Sequence, residues 1–446
     1  MTSPHLLDTL GWLLKEAKSH GADAADAVVF ESLSSSVSYR FGKLEDVERS
    51  ESRDLGLRVF IGQRQAAVAS TDLSRLALKK VAERAVAMAR LAPEDPYCGL
   101  APRDLLARQW PELDLEDRDE PSSDRLGQLA KDCEQSALSV PGVTNSEGAS
   151  ASFGRGAMAL ATSEGFAGTY AGTSASISAS VVVGEGTGME RDYDHSSARF
   201  MSDLDAPDAI GRSAAERALK RLHPRKVPSQ SAPVVYDPRV SMSIVGHFAG
   251  AIHGMSVARG TSFLKDKMGE QVFSRGVTIV DDPHRTRGLR SKPFDGEGVA
   301  NRKMNLLDDG VLKHWVMDCA AARQLGLKSN GHAARGTGGP PSASTTNLYM
   351  EAGAVTRDEL IRSIKSGLYV TEMIGSGVNG VTGDYSRGAA GFWIENGELA
   401  YPVSEITIAG NLKDMFLRTT PANDLTFRYG SNAPTLLIEG MTIAGS

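Results

Sequence analysis

The chain has 446 residues, 41% of them hydrophobic, with a formal charge of −6 and a pI near 5.9. That length favours two or three domains. The composition can bury substantial cores, excludes bulk disorder, and gives no global case for nucleic-acid binding.

Residues 5–19 place Leu6, Leu7, Leu10, Leu13, Leu14 and Ala17 at helical spacing, with Ser3 as cap, Pro4 in the first turn and Gly21 as terminator. Strands are expected over 27–30 and 35–41. A hairpin is expected where 55–61 and 66–70 flank Gly62-Gln63. A second amphipathic helix is expected over 74–91. Helix, strands and helix make the first hundred residues an α+β unit. Residues 93–122, rich in Pro, Asp and Glu, read as a surface connection, and 123–138 as a helix. From 143 to 199 the chain is rich in Ser, Ala, Gly and Thr, with antiparallel strands expected near 157–163 and 173–183. A helix follows at 207–222, then a linker at 224–233. The second half carries short strands at 234–236, 277–280, 369–374, 391–395 and 405–408, with helices at 239–253, 316–325 and 356–366. The fold class is α+β. An N-terminal α/β-type domain with a mixed sheet and helices covers 1–225, with a sub-boundary near 93–122. A β-rich domain with antiparallel sheets covers 226–446.

Cys98, Cys133 and Cys319 are odd in number and far apart. They make no disulfide framework or metal knuckle and fit a reducing compartment. Residues 1–10 lack a basic region followed by a long apolar run. No stretch approaches the ~18 apolar residues of a membrane helix, so a soluble, cytoplasmic protein with no membrane partner is expected. The basic cluster of Lys220-Arg221 with Arg225-Lys226 reads as solvated surface.

The most informative segment runs Val245-Gly246-His247-Phe248-Ala249-Gly250-Ala251-Ile252-His253-Gly254. A zinc hydrolase helix needs two His on one face and a Glu beside the first. Here no acid lies between His247 and His253, and on a helix they would stand roughly 120° apart. They read as packing or interface residues. In Gly383-Asp384-Tyr385-Ser386-Arg387-Gly388, Asp384 and Arg387 could pair with each other or with peptide termini. A structural turn is the simpler reading. Residues 335–349 form a long irregular loop, either peptide-binding or plain surface. No Gly-x-Ser-x-Gly elbow is present, and Gly184-Glu185-Gly186-Thr187-Gly188 lacks a dinucleotide-binding context.

Four stretches resemble the TldD/TldE (PmbA) family, closest to its TldE/PmbA branch. They are 246–264, Pro293-Phe294-Asp295-Gly296-Glu297-Gly298-Val299, Leu325-Gly326-Leu327-Lys328-Ser329, and 381–393. Pro402-Val403-Ser404-Glu405-Ile406-Thr407-Ile408-Ala409-Gly410-Asn411-Leu412 looks like a near-signature. The likeness spans essentially the whole chain and is strongest from 240 to 415. It implies a two-part zinc peptidase that processes peptides, including a modified peptide antibiotic and an antitoxin. An older name, modulator of DNA gyrase, goes with the family. The catalytic TldD subunit carries His-Glu-x-x-x-His and a distant Cys as metal ligands, and TldE pairs with it without them.

Carried over residue by residue, Gly246 and Ala251 fall at the two His positions and His247 at the Glu. No Cys stands in Arg428-Tyr429-Gly430-Ser431. The resemblance therefore implies a non-catalytic subunit with no metal or cofactor of its own, and zinc in a TldD-type partner. The partner would form a heterodimer around unfolded peptide, and a homodimer is allowed in isolation. Thr346-Asn347-Leu348-Tyr349-Met350 resembles a substrate-covering loop of the catalytic branch. Candidate groove or interface residues are thus His247, His253, Asn347, Tyr349, Asp384 and Arg387. Two alternatives stay open: a homodimeric metallopeptidase using His247, His253 and His332, and a peptide-binding or regulatory protein without proteolytic role.

Overall fold

The computed structural model describes the backbone of residues 4–445 and the side chains from Leu6 onward, so Ser3 as a helix cap lies outside the described residues. In chain order the first part contains α1 (Pro4–Ser19), β1 (Ala24–Arg40), β2 (Lys43–Ile61), β3 (Arg64–Ser70), α2 (Arg75–Leu91), α3 (Ser123–Leu138), β4 (Val143–Thr162), β5 (Ala167–Val183), β6 (Glu190–Ala198) and α4 (Pro207–Lys220). The six strands form one sheet in the order β3-β2-β1-β4-β5-β6. Every neighbouring pair is antiparallel. The mixed pairing expected here is found instead in the second half of the chain.

Strand alternation divides this sheet into two unlike faces. Ala25, Ala27, Val29 and Val37 of β1 point to the helix side and are buried. Their sheet-mates do the same: Leu55, Leu57 and Val59 of β2, Ala149, Ala151 and Phe153 of β4, and Ala175 and Ile177 of β5. α1 and α2 cover one end of that face, and α3 and α4 the other. α2 fits because Leu78, Val81, Ala82, Ala85, Val86 and Ala89 fall on one stripe, and the Ser74 hydroxyl caps it by accepting from Ala77 N at 3.3 Å. The opposite face is thin: Ser32, Ser34, Ser36 and Ser38 lie beside Ser150, Ser152, Gly154 and Gly156, and then Ser174, Ser176, Ser178 and Ser180. Hydroxyl pairs such as Ser150–Ser178 at 3.0 Å cross the strands.

β1 is one continuous strand, where two were expected. The Ser34-Ser35-Ser36 run reads as a break in sequence, but it is paired on both sides, with β2 and with β4. The β1–β2 turn is fixed by Glu134 of α3, whose carboxylate accepts from Phe41 N at 2.7 Å and Gly42 N at 2.8 Å.

The second part contains β7 (Gln230–Tyr236), α5 (Pro238–Ala251), α6 (Gly254–Ala258), β8 (Ile279–Asp281), β9 (Met304–Asp308), β10 (Val311–Leu312), α7 (Cys319–Gln324), β11 (Ala333–Ala334), β12 (Ser342–Ala343), β13 (Leu348–Met350), α8 (Arg357–Arg362), β14 (Ser366–Val378), β15 (Asp384–Glu395), β16 (Glu398–Asn411), α9 (Leu412–Leu417), β17 (Thr419–Pro421), β18 (Ser431–Asn432) and β19 (Leu436–Ala444). The larger sheet runs β16-β15-β14-β7-β19-β17, with β14 and β7 parallel. β16 also pairs with β19 through Thr407↔Ala444, Ile408↔Ile443 and Ala409↔Thr442, which closes a ring of five strands. Val234, Tyr236, Leu368, Val370 and Ile438 pack towards α5, while Val235, Tyr369 and Leu437 pack against α8. A smaller sheet, β10-β9-β8-β13-β18, shares the α5 core. Gly391 marks a bulge in β15, where a Cβ would sit 1.9 Å from the Tyr369 carbonyl.

Residues 93–122 are more than a surface connection. Ala107 N donates to Gly298 O at 2.8 Å, Ala300 N to Leu105 O at 3.0 Å, and Leu113 and Leu115 are buried. The Pro-rich and acidic composition hides a strap whose backbone is hydrogen-bonded to the second half of the chain. The 224–233 segment likewise runs into β7, and Arg225 N donates to Pro402 O at 2.8 Å. Among the described residues no helix is long and apolar enough to cross a membrane.

Candidate functional site

α5 begins where Asp237 caps it, accepting from Arg239 N at 2.9 Å, with Pro238 in the first turn. Its buried stripe is Ser241, Ile244, Val245, Phe248 and Ala251. The helix stops at Ala251, so His253 lies beyond it as the residue preceding α6, and the expected helical angle between the two histidines does not arise. His247 is half-buried with its ring edge-on to Tyr385, centroids 5.8 Å apart. Burial, and then the Arg387 charge, push its pKa down to about 4. The ring is therefore neutral at neutral pH, and Nε2 has no hydrogen-bond partner. His253 turns elsewhere, its Nε2 lying 3.1 Å from Ala343 O. Gly246 and Gly250 lie on the exposed side of α5, with open space where a Cβ would be.

The other candidates are dispersed. His332 is buried between Asp281, 3.2 Å from Nε2, and Asn330, 3.1 Å from Nδ1. Asn347 spends both amide donors internally, on Asp282 O and Ser291 Oγ at 2.7 Å each, and accepts from Arg290 N at 2.9 Å. Tyr349 is buried edge-on against Phe427 at 5.1 Å. Asp384 does not pair with Arg387. It accepts from Thr382 Oγ1 at 2.6 Å and Asn411 Nδ2 at 3.1 Å, which hold its pKa below the usual carboxylate value. Arg387 instead reaches towards the His247–Tyr385 side, with a long contact to Ile374 O at 3.5 Å. Arg387 is thus near enough for its charge to act on His247, while Asp384 is bonded to Thr382 and Asn411.

A metal needs converging donors, and of Gly246, His247 and Ala251 on α5 only His247 has a side-chain donor atom. β18, which packs against α5, supplies Ser431 and Asn432 and no cysteine. Among the described residues no group of three or more His, Cys, Asp or Glu side chains is arranged to hold a metal. His247, His253 and His332 are not such a group, and these residues do not fit a zinc ion.

Two buried charge clusters were invisible in the sequence. Arg221 bridges Glu190 at 3.3 Å, Asp192 at 3.6 Å and Glu372 of β14, and Arg239 of α5 holds Asp192 at 2.9 Å. Arg221 therefore belongs to the seam between the two halves, not to the solvated cluster expected. Arg225 stacks over Tyr401 at 4.5 Å, and Lys220 and Lys226 remain exposed. In the second cluster, Asp26 of β1 is clasped by Arg58 of β2, at 3.1 Å, and by Arg335 from the 335–349 loop. Beside it, Glu297 accepts from Cys319 N at 2.7 Å. Burial, then Asp295, push the Glu297 pKa up to about 7 against the pull of Arg58. Asp26 stands one residue ahead of the expected 27–30 strand, and nothing in its neighbours along the chain points to Arg58 or Arg335.

The fold is thus an antiparallel six-stranded plate joined to a small closed ring of strands. Family models match nearly end to end: PmbA/TldA metallopeptidase domain 1 over residues 25–89, the central domain over 116–222 and the C-terminal domain over 229–445. The chain is 41% identical over 432 residues to metalloprotease PmbA of Escherichia coli O157:H7, covering 96% of this chain and 94% of that protein. It is 36% identical over 444 residues to a PmbA homologue of Haemophilus influenzae, covering 99% and 96%. A crystal structure described as a modulator of DNA gyrase, from Bacteroides thetaiotaomicron, superposes with TM-score 0.92 at 28% identity over all of both chains. TldE of Thermococcus kodakarensis shares the fold, with TM-score 0.87 at 21% identity over 98% of this chain and 100% of that one. The chain belongs to the PmbA/TldD metallopeptidase family.

Proposed function

We propose that this chain is the non-catalytic, TldE-like subunit of a zinc-dependent peptidase pair that processes or degrades unfolded peptides. One observation carries the reading: the zinc-helix positions hold Gly246, His247 and Ala251, two of which have no donor atom, with no cysteine in 428–431. The partner would be a TldD-type chain that supplies zinc and the catalytic base. This chain would contribute shape, backbone contacts and stability to a closed chamber, in the cytoplasm, where its three unpaired thiols are at home. Co-expression with the TldD-type chain of the same genome tests it. A stoichiometric complex that cleaves a denatured protein, while each chain alone does not, supports the reading. Cleavage by this chain alone after zinc addition overturns it.

The unpartnered nitrogens His247 Nε2 and His253 Nδ1 are the one observation on the side of a second reading, a homodimeric metallopeptidase with an unconventional site, although within one chain they do not converge on a metal position. Zinc bound one to one by the pure chain and lost on His247→Leu would establish that reading instead. A complex that forms without any activity would favour a purely peptide-binding role.

A further inference from the structure

Where β6 leaves the first sheet, a cavity of about 210 Å³ opens between residues 197–199, the 285–289 loop and the 427–432 segment. Its charged lining is three arginines, Arg199, Arg285 and Arg287, against one acid, Asp203. That acid is already engaged: Arg287 pairs with Asp203 at 3.0 Å and with Asp114 at 2.6 Å. Arg199 donates only to carbonyl oxygens, of Thr173 at 3.0 Å, Gly288 at 3.1 Å and Leu289 at 2.6 Å. The Arg285 guanidinium lies 3.4 Å from the centroid of the Phe427 ring and has no carboxylate partner among the described residues. The cavity therefore holds two half-buried cations without counter-charge.

Partly desolvated guanidinium groups without an acid recruit an anion, and the planar fork suits a carboxylate. The volume is below the ~300 Å³ of an ordinary small-molecule pocket, which fits a terminal group rather than a whole ligand. Phe427 and Tyr429 add apolar wall for a side chain. A route leads in. Arg199 also borders a wider trough of about 470 Å³ on the serine and glycine face of the sheet. Ser197 beside the cavity is bonded to Ser176 of that face at 3.2 Å. The two spaces share Arg199, so a chain lying extended in the trough would bring its end to the arginines.

We propose that this cavity binds the free C-terminal carboxylate of an extended peptide, with Arg285 as the principal ligand and Arg199 as the fixed wall. The proposal rests on the reading of this chain as a peptide-handling subunit. The test uses an N-terminally fluorescein-labelled, extended octapeptide, as free acid and as C-terminal amide. Binding is followed by fluorescence anisotropy with the full chain, alone and co-expressed with its TldD-type companion. Amidation is expected to weaken binding about tenfold or more. Arg285→Gln should weaken the acid to the level of the amide and leave the amide unchanged, and Arg285→Lys should keep the preference for the acid. Equal binding of acid and amide overturns the proposal and leaves the peptide-handling reading standing. No binding of either, with or without the companion, overturns both. Displacement by inorganic phosphate without any acid–amide difference would assign the cavity to an inorganic anion and also overturn the proposal.

Discussion

Asp26→Asn should release the 335–349 loop from the first sheet. The Asp26, Arg58 and Arg335 side chains are 2%, 5% and 1% exposed, so the acid sits between two guanidiniums that have little water to fall back on. Asparagine keeps the shape and removes the charge, leaving two buried cations facing each other. Removing one partner of a buried pair typically costs about 3–5 kcal/mol, because the survivor stays uncompensated. The loss should fall locally, on the stretch that Arg335 ties to Asp26 of β1 and that Thr337 brings against β2, where a Cβ on Gly56 would sit 2.5 Å from Thr337 O. At about 4 kcal/mol the open form rises roughly a thousandfold. Trypsin cleavage after Arg335, mapped by mass spectrometry, reports that population directly when opening is fast. The triple variant Asp26→Leu, Arg58→Met, Arg335→Met, which has lost the trypsin site and is followed by amide hydrogen exchange of the same loop, should recover most of the protection, because an apolar replacement of a whole buried cluster is nearly neutral. Cleavage of Asp26→Asn within about threefold of the parent would refute the reasoning. Burial raises the Asp26 pKa, but Arg335 and Arg58 pull it below its usual value on balance. The clasp therefore persists at neutral pH and fails only as pH falls through that lowered value.

Glu297 behaves in the opposite sense. Its folded pKa is raised, so its contribution is complete below about pH 4.5 and is lost as pH rises through about 7. Glu297→Gln, which can still accept from Cys319 N, should flatten the decline in melting temperature between pH 5 and 8; an unchanged slope would contradict this. His247 has a folded pKa depressed to about 4, so the unfolded chain takes up its proton first, and stability falls as pH drops from about 6.5 towards 4. His247→Leu should leave neutral-pH stability within about 1 kcal/mol and raise stability at pH 5, measured by urea titration at both pH values. Gly391→Ala should destabilise the strand ring by about 3 kcal/mol or more, since its Cβ would meet the Tyr369 carbonyl at 1.9 Å. Near-parental thermal stability would mean the bulge can relax.

Helices were the most legible part of this sequence, because their apolar stripes and caps are local. α2 with its Ser74 cap and α3 follow the spacing almost residue for residue. The hairpin at Gly62-Gln63 was equally local, with Ile61 paired to Arg64. Long strands were less legible. Ser34-Ser35-Ser36 looks like a break because serine has little strand preference, and only partners on both sides, one of them more than a hundred residues away, keep it extended. The strap at 93–122 was misjudged for a similar reason: its hydrogen bonds are made by backbone atoms, which composition does not register. At the site, Gly246 and Ala251 drew notice only through the family resemblance, because nothing in their own residue types points to a metal. The seam arginines could not be read at all, because Arg221 and Lys220 look alike until carboxylates arrive from β6 and β14.

The pairing that closes the strand ring also sets an order of events in synthesis. β19 lies between β7 on one side and β17 and β16 on the other, so three earlier strands wait for residues 436–444 before their hydrogen bonds are complete. β7 is made some two hundred residues earlier and is flanked in the finished ring by β14 and β19. At roughly 5–20 residues per second it spends more than ten seconds with at least one open edge. The antiparallel plate, complete once residue 198 has been made, can form in that interval. The strand ring thus closes only once β19 has been made, after the antiparallel plate has had time to form. A carboxy-terminal fusion that hinders β19 would leave β7 and β16 as sticky edges.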